Sequence, residues 1–275
     1  MGLAVAQALA AREGWDLHLV DLNPDMGAKA ASDLAATFHQ ADVTKYSSLA
    51  TVFKNVFQKS RRLDFVFANA GIAEKANFYA RHNTGILPPP EPDLLVSSIL
   101  YDAVVLTSHL ALHYFRQSPR DSSTDQSLVM TASCGGIYPS YYSPIYSGAK
   151  HGVVGFMRSI AKHFWTDDHI RVNAICPGTV KTNLLTTKEW SNFPDEYFTP
   201  VEKIVETVLI LVDGKDTTPK EKTRIDGDAA SKGGVLWGEA VEVSGRNHYF
   251  REVPHWSDAG MQAVMKATDT KELEN

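Results

Sequence analysis

Short apolar runs, each bounded by a turn and followed by an amphipathic stretch, alternate through most of this 275-residue chain. That alternation constrains the fold more than any single residue, because strands joined through helices run parallel in one sheet. The strands read as Leu17-His18-Leu19-Val20 ending at Asp21, Phe38 to Asp42, Leu63 to Phe67, Leu128 to Ser133, Arg171 to Cys176, and Ala240 to Val243. Helical periodicity occupies Gly2 to Arg12, Asp25 to Ala36, Tyr46 to Lys59, Leu94 to Phe115, Pro144 to Phe164 and Val201 to Val212. The expectation is an α/β fold, a doubly wound parallel sheet flanked by helices. It forms one domain over residues 1–250, with 251–275 as a tail. Gly85 and Pro88-Pro89-Pro90 mark a loop, Arg120 to Gln126 a polar connection, and the polar stretch 214–234 a mobile surface segment.

With 44% hydrophobic residues the chain can bury one substantial core or at most two small ones. A net charge of −5 gives no electrostatic case for nucleic acid or an acidic membrane surface. The first residues lack a basic leader and a long apolar run, so a soluble, intracellular, cytoplasmic protein is expected. Cys134 and Cys176 are expected to be buried, reduced thiols. Cys134 adjoins Ser133, but no histidine at a motif-like spacing accompanies it as a base.

Tyr146 and Lys150 stand four residues apart, on one face of a helix. A free phenol, with a pKa of about 10, is a poor general acid–base at neutral pH. An ammonium beside it favours the phenolate and is expected to lower that pKa. Ser133, thirteen positions before Tyr146, ends a strand-like run, where open α/β sheets place their ligands. Its hydroxyl is suited to orienting a carbonyl or alcohol oxygen. The three groups together are equipment for moving a proton on and off a substrate oxygen.

Asp21, Asp42-Val43, Asn69-Ala70-Gly71, Ser133, Tyr146 with Lys150, and Pro177-Gly178-Thr179-Val180-Lys181-Thr182 follow in an order and spacing that resembles the single-domain short-chain dehydrogenase/reductases. The likeness covers almost all of residues 2–250. Tyr138, Pro144-Ile145-Tyr146 and the run from His151 to Phe156 resemble its hydroxyprostaglandin-dehydrogenase-like branch. The resemblance implies a Rossmann-like fold with Tyr146 as acid–base. Lys150 would be its pKa-lowering partner and a ligand of the nicotinamide ribose, and Ser133 would orient the substrate oxygen. It also implies that Asn69 and Gly71 flank the cofactor, that Asp42 meets the adenine ring, and that Val180 and Thr182 hold the carboxamide. Asp21 at a strand end can accept hydrogen bonds from both ribose hydroxyls and repel a 2′-phosphate, and no arginine adjoins it. NAD is therefore preferred to NADP. The alternative for Asp21 is a cap on the turn made with Asn23 and Pro24. Family members pair through the helices corresponding to Leu94–Phe115 and Pro144–Phe164, so a homodimer or homotetramer is expected, with Val154 and Ala161 as a small-residue face.

Two departures stand out. Met1-Gly2 aligns with the last x-Gly of the family's Thr-Gly-x-x-x-Gly-x-Gly turn, so the first strand and most of the phosphate cradle are missing from this sequence. An internal methionine read as a start, or a real loss of the cradle, would each produce that; Gly2 still begins the pyrophosphate helix. Ile99 occupies the place of an asparagine that completes the family's proton relay.

His109 and His113 have the spacing of a helical metal pair but lack a third ligand, and no metal is expected. Tyr138, Tyr141 and Tyr142, with Trp190, Phe193, Tyr197 and Phe198, suggest a mouth for a bulky apolar substrate such as a terpenoid, polyketide or steroid-like alcohol or ketone. The leading reading is an NAD(P)-dependent oxidoreductase of a secondary alcohol or its ketone. A repurposed scaffold with weak or no cofactor binding, or a non-redox isomerase or cyclase, are the alternatives.

Overall fold

The computed structural model describes residues 1–83, 85, 87–120, 125–218, 223–225 and 234–269. In chain order the elements are α1 (Gly2–Ala10), β1 (His18–Asp21), α2 (Pro24–Asp33), β2 (Thr37–Gln40), α3 (Tyr46–Ser60) and β3 (Phe65–Ala68). Next come α4 (Leu95–Ser97), a π turn (Ser98–Asp102), α5 (Ala103–Gln117), β4 (Gln126–Thr131), α6 (Pro144–Asp168) and β5 (Ile170–Pro177). The chain continues with α7 (Thr187–Trp190), α8 (Val201–Asp213), β6 (Thr223–Ile225), β7 (Ala240–Ser244), β8 (Asn247–Arg251) and α9 (Ala259–Lys266). Most of the segment expected to be mobile, 214–234, lies outside the described residues, and β6 is the strand within it. The hairpin partner β8 and helix α9 lie beyond the last strand read from the sequence.

The main sheet runs β3-β4-β5-β7-β8-β6, parallel except for the antiparallel β7–β8 hairpin. Every residue of β4 and β5 is buried. Leu128, Met130, Val172 and Ala174 face a layer formed by α3, α5 and α6, while Val129 and Ile175 face α1 and α8. That two-sided alternation is what a doubly wound sheet requires. Each fully buried side chain of this kind contributes roughly 1.5–3 kcal/mol, which concentrates the core on these two strands.

The parallel order breaks at one place. Among the described residues β1 and β2 pair only with each other, residue His18 opposite Thr37 through Asp21 opposite Gln40. The edge of β3 away from β4 has no strand beside it among the described residues, and its four residues are only half-buried. α1, Trp15 and Leu17 pack against this side of the sheet, with Trp15 edge-on to Phe65 at 6.3 Å.

Helix starts follow local chemistry. Asn23 caps α2 by accepting the Met26 N–H at 3.1 Å, and Pro24 opens the helix with its φ already set. Leu95–Gln117 reaches a mean hydropathy of 1.6 and is long and apolar enough to cross a membrane by those measures. Here Val104, Leu110, Ala111 and Phe115 of that run are core residues beneath the sheet. Val154 and Ala161, expected to offer a face for a second subunit, are likewise core residues; α6 turns them inward against the sheet.

β1 and β2 are also joined by side chains. His18 Nδ1 and His39 Nε2 share a hydrogen bond of 2.9 Å, with Ser60, Asp16 and Lys59 around them. Burial is the largest cause lowering both histidine pKa values. Asp16 opposes it at His18, and neighbouring positive charge reinforces it at His39. Folded-state values below the unfolded one mean stability present above about pH 6.5, lost as pH falls and the unfolded chain binds protons first. Thermal unfolding should therefore shift downward between pH 7.5 and 5.5, and the shift should shrink in His39→Gln. An unchanged profile in that variant would refute the assignment.

Candidate active site

The ladder between β4 and β5 ends where the Ala132 N–H donates to the Ile175 carbonyl at 2.8 Å, and Ser133 then turns away from the sheet. Ser133 caps a single 3-10 turn, Cys134–Gly136, accepting the Gly135 N–H at 3.0 Å. α6 lies directly over this turn, and Ser147 donates to the Gly135 carbonyl at 2.8 Å. That approach requires glycine at 136, because a Cβ there would sit 2.6 Å from the Lys150 carbonyl oxygen. A Cβ at Gly135 would lie 3.5 Å from both Ser133 Oγ and the Tyr146 ring. The structure thus brings Ser133, Tyr146 and Lys150 together at the C-terminal end of β4.

Lys150 is only 3% exposed, and its ammonium donates to the Thr131 carbonyl at 2.5 Å. Burial brings its pKa down to about 8, with Cys176 opposing. Nζ lies 5.9 Å from the centroid of the Tyr146 ring. The phenol does not behave as expected from the sequence. Its pKa is raised: burial is the largest cause, the Ser133 hydrogen bond pulls it back, and Cys134 pushes it further up. The reason is geometric. The lysine charge is turned toward Thr131, and desolvation of the ring outweighs hydrogen-bond help.

Burial also raises Cys134, and it carries Cys176 up to about 12. Neither thiol is set up as a nucleophile.

The other predicted cofactor residues, Gly2 of α1 apart, lie at or just beyond the C-terminal ends of β1, β2, β3 and β5. Asp21 at the end of β1 is exposed, and one carboxylate oxygen accepts the Asn23 N–H at 2.9 Å, so it does cap the next turn. Asp42 lies two residues past β2; Thr44, through its N–H and hydroxyl, holds the carboxyl below its usual range. Asn69 accepts from the Thr131 hydroxyl at 3.1 Å, and its amide nitrogen would lie 2.8 Å from a Cβ at Gly2. Gly71 is exposed, while Val180 is buried. Thr182 receives the Leu184 N–H on its hydroxyl and the Trp190 indole N–H on its carbonyl.

Trp190 packs with Phe193 and Phe198, whereas Tyr197 projects to solvent. Tyr141 and Tyr142 are 82% and 87% exposed, and the Tyr138 hydroxyl donates to Glu242 at 3.1 Å. His109 is exposed, and His113 shares a hydrogen bond with Gln117.

Sequence reasoning missed two features. One is the π turn around Ile99, which no residue signal marks; Ile99 itself, singled out from the sequence, packs there on the Val96, Leu100 and Ala149 cluster that Tyr146 also joins. Glu74 is buried and accepts the Tyr146 N–H at 2.7 Å.

A family described as enoyl-(acyl carrier protein) reductase matches residues 1–206. The short-chain dehydrogenase/reductase prx7 of Penicillium rubens is 50% identical over 273 residues, 98% of this chain and 96% of that protein. The short-chain dehydrogenase/reductase prx6 of the same organism is 32% identical over 74% of this chain and 70% of its own length. Human 15-hydroxyprostaglandin dehydrogenase [NAD(+)] is 29% identical over 69% of this chain and 67% of its own. With its parallel sheet, the serine at the end of β4 and the tyrosine and lysine on α6, the chain belongs to the short-chain dehydrogenase/reductase family of oxidoreductases.

Proposed function

We propose that this chain is an NAD-dependent oxidoreductase that interconverts a secondary alcohol and a ketone on a bulky apolar small molecule. The observation that carries the reading is the convergence of the Ser133 hydroxyl, the Tyr146 phenol and the buried Lys150 ammonium at one sheet end. The residues fit a dinucleotide. Lys150 is a buried cation that donates a hydrogen bond to the Thr131 carbonyl, and the start of α1 beside Asn69 is a cradle that a Cβ at Gly2 would fill. Lys150 would hold the nicotinamide ribose, Val180 and Thr182 the carboxamide, and Asn69 and Gly71 the flank. Asp42 would meet the adenine, and the exposed carboxylate of Asp21 the adenosine ribose hydroxyls. A bound nicotinamide would supply or accept the hydride.

The chain's own residues do the proton chemistry. A phenol kept neutral by burial donates its proton to a ketone oxygen as negative charge develops there, and the Ser133 hydroxyl orients that oxygen. The Lys150 ammonium, in a low-dielectric setting, then stabilises the phenolate left behind. Asp21 and the NAD(+) in the name of the human relative favour NAD over NADP. The aromatic group of Trp190, Phe193 and Phe198 favours an apolar substrate.

A non-catalytic scaffold is the second reading, favoured by Ile99, an apolar side chain packed on the same cluster as Tyr146 where the family's relay asparagine would stand. Titrating NADH and NADPH by fluorescence, then offering apolar ketones and following nicotinamide absorbance, separates the readings. NADH binding in about the micromolar range with NADH consumption is expected. Absent binding would favour the scaffold, and turnover without absorbance change an isomerase or cyclase.

A further inference from the structure

We propose that Glu74 is the positioning residue of Tyr146, an inference that rests on the acid–base reading of that tyrosine. α6 is 25 residues long, yet its first turn is poorly served locally. Pro144 has no N–H, the Ser143 side chain makes no capping bond, and the Ser147 N–H donates to the Ser143 carbonyl at 2.9 Å. The Tyr146 N–H goes instead to Glu74 Oε2 at 2.7 Å, across 72 positions of sequence. A carboxylate at a helix N-terminus also meets the positive end of the helix dipole.

The cap is an expensive one. Glu74 is 9% exposed, and its Oε1 is buried with no hydrogen-bond partner among the described residues. Burying a carboxylate so incompletely paired is unfavourable, and a serine or aspartate bond at position 143 would cap the helix without that penalty. What the local cap would not do is tie α6 to the loop carrying Asn69 and Gly71. Glu74 makes that tie at the reacting tyrosine itself. Ile72, Ile99, Leu100 and Ile145 form an apolar cluster with Tyr146 on the same side. The phenol is thereby held at a fixed distance from the loop that flanks the cofactor. A misplacement of about 1 Å at such a group can cost about a hundredfold in rate.

The test uses Glu74→Ala and Glu74→Gln in the full chain, with exchange of the Tyr146 amide and steady-state kinetics as readouts. Glutamine keeps an acceptor for the N–H and alanine does not. In E74A the amide should exchange about tenfold faster or more. Its kcat should fall about a hundredfold, with KM and NADH affinity within about twofold. E74Q should stay within about threefold of the parent on both readouts. Unchanged amide exchange in E74A, an equal fall of kcat in both variants, or a change confined to KM would overturn the proposal. Should E74A fail to fold, Glu74→Asp keeps the charge, shortens the reach and carries the same expectation. A parent protein that turns over no alcohol or ketone would sink the acid–base reading alone, and the amide exchange would still decide whether Glu74 is the anchor.

Discussion

Replacing Lys150 with methionine is expected to raise the melting temperature while removing turnover. Lys150 is 3% exposed, and its pKa falls from 10.5 to about 8 in the fold, chiefly through burial. At about 1.4 kcal/mol per unit, that shift corresponds to about 3 kcal/mol. The sign follows from the order of the two values. Below about pH 8 the lysine is charged in both states and the fold bears the desolvation cost. Between about 8 and 10.5 the folded protein releases its proton first, so stability rises with pH. Methionine has a similar reach and no charge. Loss of the hydrogen bond to Thr131 offsets about 1 kcal/mol, leaving a net gain of about 2 kcal/mol, or roughly 4–8 °C for a chain of this size. Calorimetry at pH 7 and 10 checks this: the advantage should be clear at the lower pH and shrink at the higher one. A variant less stable than the parent at both would show that the ammonium is better solvated than its burial indicates. Turnover should meanwhile fall by about 10²–10⁴-fold, since the phenolate would form without a cation nearby.

Tyr146→Phe should lower kcat/KM by about 10²–10⁴-fold, with the melting temperature and NADH affinity nearly unchanged. The ring stays packed beside Ser133 and the 3-10 turn, and only the hydroxyl is lost. Because the phenol pKa is raised rather than lowered, ketone reduction by the parent should be nearly flat through neutral pH. Alcohol oxidation, which needs the phenolate, should climb with pH. Phenylalanine at 146 should abolish that climb. Turnover within about tenfold of the parent would assign the proton to another group.

The core strands were legible because β4 and β5 are buried on both faces, and a strand so placed must be apolar throughout. Ser133, Tyr146 and Lys150 were legible because one helix face and one strand end suffice to assemble them. The direction of the phenol's titration was not. It depends on how much water the surrounding layers remove, and spacing along a helix carries no such information. Glu74 was hidden for a related reason, since a charged residue in a loop reads as solvated until a helix 72 positions away closes over it. Val154 and Ala161 were misplaced because small residues suit a core and a subunit contact equally well.

The break between β1 and β3 divides the molecule's labour unevenly. Asp21 and Asp42, the proposed grip on adenosine, sit on the two-stranded piece, whereas Ser133, Tyr146 and Lys150 sit on the six-stranded one. With no residue of either strand fully buried, the smaller piece is expected to be the first unit to open under thermal stress. A dinucleotide spanning both would act as a strut, so cofactor affinity and the cohesion of that lobe become a single linked quantity.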